Sequence, residues 1–296
     1  MKELSEELAQ LVARVGTSVV RVEGGRPRPA SGIAWDERHV ITVARAVRAE
    51  RVQVAIGEAT LAAKVKGRDM GTDLALLEVE PGLASLGAAP IAREVGGPAV
   101  GQLAVRLARP GRTVQASLGV VSALGDASYT AAGGGEIDRY LECDAAHRPG
   151  FSGGALVSVD GVLLGLTSTA IVPGHSVQVP RATLERVVAQ LAQHGRVRES
   201  YLGLVLRPTR LPRSVIDATG ETVGLLVLDV DAQGPAAASG VRYGDTVLHL
   251  GDDSVRTVED VWRYLRADRV GSAVPLTLWR EGRVETVSLT LGARPS

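Results

Sequence analysis

The stretch PGFSGG at residues 149–154 holds a hydroxyl between glycines. A serine that attacks a carbonyl needs a sharp turn to present its oxygen, backbone N–H groups that converge on the developing oxyanion, and a base to take its proton. The hexapeptide offers the first two. Gly150 tolerates backbone angles closed to other residues, so the amides of Gly150 and Ser152 can point into one pocket as an oxyanion hole. The same residues also read as a plain β-turn, since Gly-Ser-Gly turns are common. On these residues alone both readings stand.

Other chemistries find little support. The chain has no GxxxxGK[ST], no GxGxxG after a strand, no HExxH and no paired-cysteine spacing. The glycine run AAGGGE at 131–136 has no phosphate-binding partners around it and reads as a mobile loop. Cys143 is the one cysteine, which excludes an intrachain disulfide framework and a multi-cysteine metal site. No metal and no cofactor is expected. Lys plus Arg and Asp plus Glu number 33 each, so the formal charge is zero and nothing points to nucleic acid or an anionic membrane surface. With aromatics at 3% of the chain, few rings could stack on bases.

The elements that must position Ser152 are short strands. From residue 17, runs such as SVVRVEG, HVITVA, VQVAIG, LALLEVE, LAVRLARPG and GALVSVDG follow one another with Gly, Pro or Asp between them. Such spacing predicts antiparallel all-β structure closed into barrels or a sandwich. Before it, Leu4, Leu8, Leu11, Val12 and Val15 fall at helical spacing over residues 2–15. After it, residues 181–194 return to helical spacing with Gly195 placed as a stop. A domain boundary is expected near residues 196–200, giving a first domain at 1–198 and a second at 199–296. The second mixes strands with a helix at Thr257–Ala267, where Thr257 and Asp260 form a capping box. No apolar run is long enough for a signal peptide or a membrane span, so the chain as given reads as soluble.

ECDAAHRPGFSGGALVSVDGVLLGL resembles the nucleophile region of HtrA-type serine proteases, a quality-control family built on the chymotrypsin fold. The likeness continues through LVARVGTSVVRVEGG, ASGIAW, GRDMGTDLALLEVE and the passage VQVPRATLERVVAQLAQHGRVRESYLGL. It implies a mainly β fold: a chymotrypsin-like double β-barrel followed by an α+β PDZ domain. In the family the residue matching Ser152 is the nucleophile and the one matching Asp73 orients the base; outside that context Asp73 reads equally as a turn cap. The family's histidine stands in a TxxHV segment, and the matching position in HVITVARAV is Arg45. A guanidinium has no lone pair to accept a proton, so Arg45 cannot serve as general base. It is expected instead to pair with Asp73. His147 and His175 are the candidates for a substitute base; His39 lies too far along its strand, and His194 and His249 fall in the closing helix and the second domain. Phe151, where the family commonly has Asn, could partly fill the cleft or pack the turn against the barrel, and the second is expected because a lone large apolar side chain usually packs.

VGLLVLDVDAQGPAAASGVRYGDTVLHLGDDSV resembles the PDZ domain that follows such protease domains. The family's carboxylate loop is matched by Tyr201, Leu202, Gly203 and Leu204, which read otherwise as an ordinary buried strand. The resemblance thus implies a catalytically impaired protein that binds unfolded or C-terminal peptides as a chaperone, adaptor or regulator of an active paralogue. The alternative is an active endopeptidase with a non-standard base. Family members often trimerise through an N-terminal segment and are usually extracytoplasmic. Residues 1–20 hold no aromatic anchor for such a homo-oligomer.

Overall fold

The computed structural model describes residues 2–25, 28–80, 97–130, 135–172, 175, 177–198, 200–265 and 269–293. Of the AAGGGE run at 131–136, residues 131–134 lie outside these residues, whereas Gly135 accepts the Thr130 amide at 2.9 Å and Glu136 lies in a strand. The chain divides into two compact units, Met1–Val197 and Arg198–Ser296.

The first unit opens with helix α1 (Lys2–Gly16), whose Leu11 and Val15 are buried and whose Leu8 and Val12 pack beside them. Six strands then form a closed antiparallel barrel: β1 (Val19–Glu23), β2 (Ala30–Ala34), β3 (His39–Val43), β4 (Arg51–Ile56), β5 (Ala59–Asp69) and β6 (Leu74–Val79), in the order β1-β2-β3-β6-β5-β4. In β5 the alternation is plain: Leu61, Ala63 and Val65 point inward while Ala62, Lys64 and Lys66 face water. In β3 and β6 it disappears, because these strands are covered on both faces. Val40 lies in the barrel interior with Val20, Val54 and Leu77, whereas Ile41 and Val43 face a second core shared with Val105, Leu107 and Leu166.

The second sheet supplies that other face. Its strands are β7 (Leu103–Ala108), β8 (Gln115–Gly125), β11 (Tyr140–Cys143), β12 (Ala155–Ser158), β13 (Leu163–Thr167) and β14 (Gln178–Pro180), ordered β11-β8-β7-β12-β13-β14. A bridge from Glu142 to Val177 brings its two edges nearly together. A small ribbon of β9 (Ser128–Tyr129) and β10 (Glu136–Ile137) sits apart from it. Helix α2 (Arg181–His194) closes the unit and stops at Gly195, whose φ is +70° and whose N–H bonds Leu191 O. With one Phe in the chain, both cores are built from Val, Leu, Ile and Ala.

The second unit is a sheet ordered β16-β17-β18-β20-β21, made of β16 (Leu204–Arg210), β17 (Val223–Val230), β18 (Thr246–Leu250), β20 (Ala273–Arg280) and β21 (Arg283–Thr290), with β19 (Asp253–Ser254) paired to β18. β15 (Ser200–Tyr201) pairs with β22 (Gly292–Ala293). Three short helices complete it: α3 (Arg213–Thr219), α4 (Pro235–Ala238) and α5 (Val258–Tyr264). The capping box at Thr257 forms in both directions, and the helix it starts is shorter than its apolar stripe suggested, with 266–268 outside the described residues. Mainly β structure in two six-stranded barrel sheets followed by an α+β unit is the expected fold. Among the described residues no helix is long and apolar enough to cross a membrane.

Candidate active site

β3 ends at Val43 and the chain tightens into a 3₁₀ turn, Ala44–Ala46, which swings Arg45 toward the seam between the two sheets. Asp73, in the turn before β6, meets it there. Its φ is +56°, a left-handed value that Asp tolerates better than bulkier residues, and its carbonyl accepts the Ala44 N–H at 2.9 Å. Its carboxylate is 2% exposed. Oδ1 accepts the Arg45 backbone N–H at 3.1 Å and Nε at 3.2 Å, while Oδ2 accepts the Ser168 hydroxyl at 2.6 Å. The expected Arg45–Asp73 pair is present.

The turn that carries Ser152 is built from the other sheet. Phe151 N–H bonds Arg148 O at 3.0 Å and Gly150 has φ +85°, so residues 148–151 form a type II turn with Pro149 and Gly150 at its centre. Only glycine suits the third position, and a Cβ there would also lie 2.4 Å from Cβ of Pro110. Phe151 is fully buried and packs the turn into the protein, as expected, with the His147 ring edge-on to it at 6.3 Å between centroids. Ser152 itself is half-buried.

Two serines that motif reading missed hold this arrangement. Ser31 on β2 donates its hydroxyl to Gly150 O at 2.7 Å and its amide to Ser152 O at 2.9 Å, and its Oγ accepts the Arg109 amide at 2.8 Å. Ser168 follows β13 directly and fixes Asp73. Ser31 lies within ASGIAW and Ser168 in the TST that follows VLLGL, but a single hydroxyl far from its partner in sequence leaves no spacing to read. Arg106 was missed as well. Although set among strand residues, it is fully buried and donates to Ala145 O at 2.7 Å, pinning the segment that leads to His147. Burial pulls its guanidinium below the ordinary range, against Cys143 and Asp144.

Ser152 and Arg45 share one cleft. It has a volume of about 490 Å³ and is lined by Arg28, Pro29, Ala30, Val43, Arg45, Ala46, Gly150, Ser152 and Thr169. None of these is a histidine. His39 Nδ1 lies 2.9 Å from Asp36, His175 Nδ1 3.5 Å from Glu142, and His194 ends α2. His147 faces Phe151, its imidazole held below the ordinary range by desolvation and by Arg106. His249 belongs to the second unit, 3.4 Å from Glu221.

In that unit the four residues of the expected carboxylate loop are contiguous but differ in setting. Tyr201 donates its hydroxyl to Asp231 Oδ2 at 3.1 Å, Leu202 is buried in the core, and Leu204 opens β16 half-buried. Gly203 has φ +79°, which a side chain would strain, and its carbonyl accepts the Asp231 amide at 2.9 Å. The Leu202 carbonyl accepts the Ala236 amide at 2.9 Å. β16 is an edge strand of its sheet, with α5 packed beside it.

Comparison with known proteins agrees with both units. Residues 30–166 match the model of a trypsin-like peptidase domain and residues 200–291 that of a PDZ domain. Over 250 residues the chain is 32% identical to a "Probable periplasmic serine endoprotease DegP-like" of Rhizobium meliloti, covering 80% of this chain and 47% of that protein. The chain belongs to the HtrA-type family. It is also 29% identical to "Protease Do-like 1, chloroplastic" of Arabidopsis thaliana over 90% of this chain and 64% of that one. It therefore spans about half to two thirds of the length of the curated relatives it matches. Among solved structures, a serine endoprotease from Yersinia pestis superposes with a TM-score of 0.76 at 25% identity, covering 97% of this chain and 98% of that one. The fold is shared as well with the HtrA-type protease AlgW crystallised with a decapeptide, at a TM-score of 0.76 and 22% identity, with 98% and 99% of the two chains covered.

Proposed function

We propose that this chain is an HtrA-type pseudoprotease that holds peptides without cutting them. The observation that carries the reading is the Asp73 carboxylate, engaged by a guanidinium where the family resemblance expects an imidazole. Arg45 can donate to Asp73 as an imidazole would, but it has no lone pair with which to take the Ser152 proton. Losing the base of such a triad costs on the order of 10⁶-fold in turnover. What remains is a cradle: a type II turn that leads Ser152 into the cleft, where none of the described lining residues is a base able to take its proton.

Peptide capture falls to two places. One is the cleft at Ser152. The other is the PDZ unit, where β16 offers an open edge for strand addition and Tyr201, Leu202, Gly203 and Leu204 lead from the end of β15 into its first residue. Leu202 serves that loop through its backbone and its anchorage in the core. Unfolded chains and C-terminal peptides are the corresponding partners, in a quality-control role as chaperone, adaptor or regulator of an active paralogue.

A second reading has support of its own. The relatives carry the name serine endoprotease, and Ser152 follows a type II turn and lines a cleft. Incubating casein with the wild type and with Ser152→Ala separates the two. Equal inertness supports the pseudoprotease. Cleavage by the wild type that Ser152→Ala abolishes establishes an active peptidase with another base.

A further inference from the structure

The cleft at Ser152 carries more positive charge than its hydrogen bonds use. Its lining includes two guanidinium groups, Arg28 and Arg45, and among the described residues no carboxylate. Asp73 stands behind it and balances one of them, but only through Arg45 Nε and the backbone amide. Among the described residues Nη1 and Nη2 of Arg45 meet no acceptor, and the side chain is 37% exposed. Arg28 is exposed at the rim, and the Ser152 and Thr169 hydroxyls add neutral donors. The remaining wall is apolar: Pro29, Ala30, Val43 and Ala46.

We propose that this cleft is a carboxylate receptor that takes the free C-terminus of a peptide ending in a small apolar residue. Three features select that ligand. A carboxylate is planar and matches the donor fork of a guanidinium, two N–H groups to two oxygens. Gly150, in the type II turn, and Ser152, just after it, line the same cleft. The apolar wall suits a side chain next to the charged group, which inorganic phosphate lacks.

The inference rests on the reading that Ser152 does not cut. It is tested with the full chain by titration calorimetry, using N-acetyl-Ala-Ala-Val as free acid and as amide. The free acid should bind at the cleft and the amide at least about tenfold more weakly. Arg28→Gln and Arg45→Gln should each weaken the free acid by about tenfold. Because Arg45→Gln leaves Asp73 buried without its guanidinium, Arg28→Gln at the exposed rim is the decisive variant should the other fail to fold. Unchanged free-acid binding in Arg28→Gln and in folded Arg45→Gln would assign the carboxylate to the PDZ unit and overturn the proposal. So would displacement of the peptide by an equal concentration of inorganic phosphate. Cleavage of casein by the wild type but not by Ser152→Ala refutes the reading beneath it. Inertness toward casein combined with unchanged binding in the arginine variants sinks the carboxylate receptor alone.

Discussion

Two Arg–Asp pairs, one in each unit, use the same side chains to different ends. Asp245 in the PDZ unit is 3% exposed and is gripped from both sides, Arg280 Nε to Oδ1 at 2.8 Å and Nη2 to Oδ2 at 2.7 Å, with the Arg242 amide on Oδ2 at 2.7 Å. Arg280 also donates to Gly240 O and Glu285. Asp73 receives a single guanidinium nitrogen, at 3.2 Å, and owes its position as much to the Arg45 amide and the Ser168 hydroxyl. The first pair is a strut whose donors are nearly all engaged. The second holds its arginine by one side-chain nitrogen and leaves that side chain partly exposed in the lining of a cleft.

The contrast can be broken at either end. Arg280→Ala should be the most damaging change, because it strands a buried carboxylate; breaking such a pair costs about 3–5 kcal/mol, read as a fall in denaturation midpoint of the PDZ unit. Arg45→Ala should cost less, about 1–3 kcal/mol, since two of the three donors on Asp73 remain. Equal losses in the two variants would show that Arg45 is a strut as well. Smallest of the three, Thr257→Ala removes one half of the capping box and should cost about 1 kcal/mol in the same unfolding assay.

The strut also sets a pH limit. Burial alone would raise the Asp245 carboxyl, but the Arg280 hydrogen bonds and the Arg242 amide outweigh it and hold it below the usual carboxylate range. Asp138, bonded by Arg186 and Thr183 where α2 meets the ribbon, is lowered by the same balance. A group whose folded pKa is depressed contributes its stability above the unfolded value and loses it as pH falls through the folded one. Both contributions are therefore complete at neutral pH and begin to fade below about pH 4. Urea midpoints at pH 7 and pH 3 check this, and Arg280→Ala should flatten the dependence in the PDZ unit.

Much of the fold was legible because its signals are local. Alternation in β5, the uninterrupted apolar runs of β3 and β6, Gly195 as a helix stop and Thr257 with Asp260 as a capping box each depend on residues a few positions apart. The turn at Ser152 was legible for the same reason, since its proline and glycine are adjacent. The groups that hold it were not. Ser31 meets Gly150 across 119 positions and Ser168 meets Asp73 across 95, and no pattern in a strand distinguishes a hydroxyl with a partner from one facing water. Arg106 misleads further, because a charged residue between apolar neighbours reads as solvent-facing until the Cys143 and Ala145 carbonyls are brought to it. Arg45 was readable only against the family pattern; its single-nitrogen hold on Asp73 needed coordinates.

The most direct test of Ser152 lies in its own reactivity. A fluorophosphonate modifies an activated serine covalently, and intact-protein mass spectrometry with peptide mapping follows the modification at Ser152 over time. With Arg45 in place of a base, the wild type should be labelled no faster than the background seen in Ser152→Ala, while Arg45→His should be labelled faster by on the order of 10³-fold or more. Rapid, stoichiometric labelling of Ser152 in the wild type would contradict the pseudoprotease reading.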